Sequence, residues 1–111
     1  MKNILILGAG KSATVLIDYL LDHAAALNAT VTLGDLDVNL AQQKLHNHPS
    51  GKVVYFNSED AVIRENIEIQ KNNKIVRVVH VPRNIKSTQT TIPFFKENNL
   101  DYAKVVGFLG K

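Results

Sequence analysis

Four consecutive aliphatic residues, Ile4-Leu5-Ile6-Leu7, run straight into Gly8-Ala9-Gly10. An unbroken apolar run of this length suits a strand buried on both faces, which is what a parallel sheet demands. Past Ser12 the period changes. Ala13, Leu16, Ile17, Leu20, Leu21 and Ala24 recur at spacings of three and four, so they share one face of a helix that Asn28 is expected to end. The chain therefore begins as strand, glycine turn and helix.

The alternation continues. Thr30-Val31-Thr32-Leu33 is rich in β-branched residues and reads as a second strand, closed by Gly34-Asp35. Asp37 stands where a helix N-cap belongs, ahead of Leu40, Ala41 and Leu45. His46-Asn47-His48-Pro49-Ser50-Gly51 is a turn by composition, and Val53-Val54-Tyr55-Phe56 a third strand. Ser58, Glu59 and Asp60 open a third helix toward Ile69. This β-α-β-α-β-α order predicts an α/β fold of three layers: a Rossmann-type, doubly wound parallel sheet of about five strands.

The second half is less regular, although residues 1–111 are read as one domain, with 1–57 the clearer part. Residues 75–81 form a strand stopped by Pro82, in which Arg77 is awkward if the strand is central. Thr88, Thr90, Thr91 and Pro93 weaken a helix over 85–98. A proline inside a helix costs about 3 kcal/mol, so a short helix beginning near Pro93 is expected. Residues 102–108 read as a final strand.

The glycine turn carries the chemistry. In Gly8-x-Gly10-x-x-Ala13, Gly8 permits the tight turn and Gly10 lets a pyrophosphate approach bare backbone. Ala13 is small enough for close packing of helix on strand. The helix N-terminus offers N–H groups and partial positive charge to phosphate oxygens, with Lys11 and Ser12 at the rim. Asp35 ends the next strand, about 20 residues on, where a carboxylate accepts hydrogen bonds from ribose hydroxyls. Gly8, Gly10, Lys11, Ser12, Ala13, Asp35 and Leu36 are thus the candidate cofactor-binding residues. NAD is favoured over NADP, because a 2′-phosphate would meet Asp35 as like charge, and Leu36 supplies no arginine beside it. Lys11 and Lys44 weigh the other way. Gly10-Lys11-Ser12 resembles the end of a P-loop, but the first glycine of that motif would fall at Leu5, so triphosphate hydrolysis is not expected.

Composition narrows the classes. The chain of 111 residues has no cysteine, which removes disulfides, zinc-thiolate sites and thiol catalysis. Its net charge of +3 comes from scattered residues, without the basic stripe or interleaved aromatics of a nucleic-acid surface. No stretch approaches the ~20 apolar residues of a membrane span, and the N-terminus lacks the pattern of a signal peptide. A cytoplasmic protein is the expectation, without nucleic-acid or membrane partners.

The run 4–12 with Leu16-Ile17-Asp18-Tyr19-Leu20-Leu21, then Val31-Thr32-Leu33-Gly34-Asp35 and Asn47-His48-Pro49-Ser50-Gly51-Lys52, resembles the N-terminus of saccharopine dehydrogenases, bacterial members in particular. The resemblance implies a nicotinamide-dependent oxidoreductase of amino-acid metabolism, with Gly8, Gly10, Ala13 and Asp35 binding the cofactor. It also implies a substrate domain and catalytic groups that lie beyond this chain, which alone is not expected to be catalytically competent. Asn57 stands where the family has an acidic residue, and the match loosens from Arg77 onward. His80 matches no motif of the family.

Other residues have plainer readings. His46 and His48 in a polar turn lack a third metal ligand, and Phe94, Phe95 and Tyr102 are core or interface residues. Glu59, Asp60, Arg64, Glu65 and Glu68 make a solvated helix face. A second hypothesis is a free-standing dinucleotide sensor without catalysis, and a third an α/β module used only for assembly. A truncated doubly wound sheet would leave apolar surface uncovered, which makes a homodimer an expected consequence.

Overall fold

A computed structural model describes residues 2–8, 13–79 and 92–101. Among these residues, four strands form one parallel sheet: β1 (Lys2–Leu7), β2 (Ala29–Asp35), β3 (Gly51–Tyr55) and β4 (Arg77–Val79), in the order β3-β2-β1-β4. Three helices connect them: α1 (Thr14–Leu27), α2 (Val38–Leu45) and α3 (Ala61–Asn72). Residues 92–97 form a further short helix. The architecture is α/β and Rossmann-like. The strand expected over 102–108 lies outside the described residues.

Period two in the strands and period 3.6 in the helices divide the molecule into layers. Ile4 and Ile6 of β1 and Val31 and Leu33 of β2 are fully buried on one sheet face. There they meet Leu16, Ile17 and Leu20 of α1, Ala41 and Leu45 of α2, and Phe94 and Phe95 of the short helix. Leu5, Leu7 and Thr32 face the other way, toward α3. All the residues named above for the apolar face of α1 are buried, because a helix on a sheet hides one stripe only.

The caps follow the side-chain chemistry of their positions. Asn28 ends α1 in the left-handed region (φ 52°), which asparagine tolerates better than most residues. Asp37 caps α2, its Oδ1 accepting the Leu40 N–H at 3.0 Å. Asp60 does the same for α3, accepting from Val62 and Ile63. Asp37→Ala is expected to cost about 1 kcal/mol, read as a lower urea midpoint with unchanged slope.

Two expectations are refined. The helix near Pro93 begins at residue 92, so the proline sits in the first turn, where its missing N–H costs nothing. Arg77 escapes burial because β4 is an edge of the sheet among the described residues. Its guanidinium reaches Glu97 at 2.7 Å and lies 5.5 Å from the centroid of the Phe94 ring. An arginine that would be costly in a central strand here clips the short helix onto the sheet.

α3 differs from the other helices: none of its residues is buried, and Val62 and Ile69 are 68% and 50% exposed.

Candidate functional site: the crevice at the strand ends

Strand order 3-2-1-4 makes β1 and β4 neighbours although the chain visits β2 and β3 between them. In open α/β sheets, ligands bind outside the carboxyl ends of the strands, at such a reversal of order. In this protein a shallow crevice of about 240 Å³ lies beside that reversal, at the carboxyl ends of β1, β2 and β3, lined by Leu7, Gly8, Gly34, Asp35, Leu36, Phe56 and Ser58. That is just below the roughly 300–1,000 Å³ of pockets for drug-sized ligands.

Gly8 leaves β1 with φ +93°, a region L side chains rarely adopt, and its N–H donates to the Gly34 carbonyl at 2.7 Å. A Cβ built on Gly8 would meet nothing within 4 Å, so glycine is required here by the backbone angle and not by crowding. Gly8→Ala is therefore expected to cost about 1–3 kcal/mol of strain, measured by urea unfolding. Gly34 is the opposite case. Its Cβ would come within 3.1 Å of Phe56 Cβ and 3.2 Å of Leu7 Cδ2, so its bareness lets Phe56 close the floor of the crevice.

Asp35 closes β2, half-buried, and its Oδ1 accepts the Asp37 N–H at 2.8 Å. The carboxylate thus folds its own turn while standing on the crevice wall, where an acceptor can receive hydroxyls of a diol. Leu36 beside it is 61% exposed, an apolar surface turned to the same opening.

The N-terminus of α1 carries no capping side chain and no acidic residue in its first turn. Ala13, which precedes it, is buried, and Lys44 of α2 donates to Thr14 Oγ1 at 2.7 Å. A cation beside the positive end of a helix is the reverse of the usual arrangement, and both attract an anion. Gly10, Lys11 and Ser12, named from the sequence for the same purpose, lie outside the described residues, as does His80.

Asp35, Leu36 and Gly8 are brought together at one crevice, with Ala13 at the head of α1. Gly34, Phe56 and Ser58 were not singled out in the sequence. Glycine inside a strand does signal a close approach of neighbouring groups, and Phe56 and Ser58 follow the third strand directly. The histidines serve local structure. His48 Nδ1 accepts the Ser50 N–H at 3.1 Å, and His46 lies 4.0 Å from Asp18. No cluster of potential metal ligands occurs among the described residues.

No protein-family model matches the chain. It is 63% identical over 61 residues, 55% of its length, to a phospho-N-acetylmuramoyl-pentapeptide-transferase of Bacteroides fragilis. It is 66% identical over 60 residues to the protein of that name from Phocaeicola vulgatus. The chain spans only 14% of the length of these relatives. Among solved structures it is similar to apo histidine-tagged saccharopine dehydrogenase (L-Glu forming) from Saccharomyces cerevisiae. That likeness has a TM-score of 0.48 and 19% identity, covering 80% of this chain and 23% of that one.

These relatives correct one expectation. A cytoplasmic location does not stand, because the curated relatives, 59 to 66% identical over the matched part, are integral membrane enzymes. No helix of the described residues is long and apolar enough to cross a membrane. The short apolar runs that suggested the cytoplasm describe this stretch of sequence and not the proteins in which its like occurs.

Proposed function

We propose that the crevice binds the adenosine diphosphate half of NAD, in a domain related to the cofactor domain of saccharopine dehydrogenases. The observation that carries this reading is the meeting of Asp35 with Gly8 at the carboxyl ends of β2 and β1. Asp35 would accept hydrogen bonds from the adenosine ribose, Leu36 and Phe56 would flank the base, and the head of α1 with Gly10, Lys11 and Ser12 would receive the pyrophosphate. The cofactor would supply hydride transfer, and the catalytic groups would come from outside the described residues. NAD is preferred to NADP, since Asp35 repels a 2′-phosphate, while Lys44 is engaged with Thr14 at the head of α1, where the pyrophosphate would lie.

A second reading has sequence identity in its favour. A stretch of 61 residues in a chain of 111 must include the middle, where β3 leads into α3. α3 buries none of its residues, as befits a helix whose own packing partner lies elsewhere. On that reading the chain shares a module with phospho-N-acetylmuramoyl-pentapeptide-transferases, and the crevice need not hold a dinucleotide.

Calorimetric titration with NAD and NADP separately distinguishes the two. Saturable NAD binding, tighter than NADP, supports the cofactor reading. A folded sample that gives no heat and no thermal shift with either dinucleotide overturns it in favour of the second.

A further inference from the structure

The space beneath α3 is a cavity of about 340 Å³ on the sheet face opposite the main core. Its floor is Leu5 and Leu7 of β1 with Thr32 of β2, and its roof is Asn66, Ile67 and Gln70 of α3. The interior of a protein is normally close-packed, and a helix laid on a sheet fills such a gap with large side chains. Here α3 fills little of it, having no buried residue of its own.

The lining decides what could enter. Among the described residues, no charged side chain lines the cavity. α3 carries Arg64, Glu65, Glu68 and Lys71, yet all four are exposed and none contributes to the wall. The polar residues among those lining the cavity are neutral: the carboxamides Asn66 and Gln70 of α3, at its exposed edge, with Asn3, Thr32 and Tyr55 of the strands. An ion placed there would lose its hydration without gaining a countercharge. A pure hydrocarbon would strip water from the carboxamides and offer them nothing in return. A neutral molecule with an apolar body and one hydrogen-bonding group satisfies both parts of the wall. The volume lies within the roughly 300–1,000 Å³ typical of small-molecule sites.

We infer that this cavity is a binding site for a small uncharged molecule of that kind, separate from the strand-end crevice. The two share Leu7 and Phe56 and otherwise have different linings.

The test is a fluorescence titration of the full chain, without dinucleotide, so that the result does not depend on the cofactor reading. The probes are N-phenyl-1-naphthylamine, which is neutral, and 8-anilino-1-naphthalenesulfonate, which has the same rings and a negative charge. The neutral probe is expected to bind saturably at one site, and the sulfonate at least tenfold more weakly. Thr32→Phe, which fills the floor, is expected to weaken the neutral probe at least tenfold. Should that variant fail to fold, Gln70→Trp fills the roof from an exposed position and adds the only tryptophan of the chain. The inference is overturned if the neutral probe shows no saturable binding, if the sulfonate binds equally well, or if a folded cavity-filling variant binds undiminished.

Discussion

Replacing Asp35 by alanine is expected to weaken NAD binding about tenfold to a hundredfold, in a chain that still folds. The size follows from hydrogen bonds to a charged group, worth roughly 1.5–3 kcal/mol each in net terms. Asp35 also folds its own turn through the Asp37 N–H, so a loss on alanine substitution alone would mix two effects. Asp35→Asn separates them. Asparagine keeps a side-chain oxygen that can accept the Asp37 N–H, and the thermal midpoint should stay near that of the unaltered chain. What it removes is the negative charge. NAD should then weaken by less than with alanine, while the preference for NAD over NADP narrows, because the 2′-phosphate no longer meets a like charge. Calorimetry with both dinucleotides reads all of this. Equal NAD affinity in the unaltered chain and both variants would remove Asp35 from the site.

The largest effect on stability is expected at Phe95. Its side chain is fully buried, stacked on Tyr19 with ring centroids 5.6 Å apart, and it meets Phe94 edge-on at 6.3 Å. Phe95→Ala should cost about 3–5 kcal/mol, from lost transfer energy and the cavity left behind. Against a total stability of roughly 5–15 kcal/mol that is a large fraction, visible as a fall of tens of degrees in the thermal midpoint or as failure to fold. Val62→Ala on α3 removes an aliphatic side chain that is 68% exposed and should change stability by no more than about 0.5 kcal/mol. The contrast locates the core between the sheet and α1. Native-state hydrogen exchange should agree, with α3 amides exchanging through openings far less costly than those of α1. Equal losses from the two substitutions would mean that α3 packs as tightly as the short helix that carries Phe95.

The parts of the fold that could be read directly from residues are those where one periodicity governs. The stripe of α1 and the caps at Asn28 and Asp37 follow from local spacing or local hydrogen bonding, whereas the two-sided burial expected of residues 4–7 holds for Ile4, Leu5 and Ile6 but not for the partly exposed Leu7. α3 resisted such reading because Val62, Ile63, Ile67 and Ile69 spread apolar surface around more than one face. Which face meets the sheet, and how loosely, depends on contacts far away in sequence. Arg77 was ambiguous for the same reason, since an edge and a central strand have similar sequences but opposite tolerance for a guanidinium. In the crevice, Gly8 and Asp35 announced themselves by type and spacing, whereas Phe56 and Ser58 belong to it only because β3 pairs beside β2.

The order of strands and helices, the buried stripe of α1 and the residues at the ends of β1 and β2 are written in local residue patterns, because each rests on interactions within a few positions along the chain. That β4 returns beside β1, that Gly34 must be bare for Phe56 to close the crevice, and that α3 stands off the sheet above a hollow emerge from packing. Those depend on which surfaces meet, and a meeting between residues 30 or 70 positions apart is set by the whole core at once.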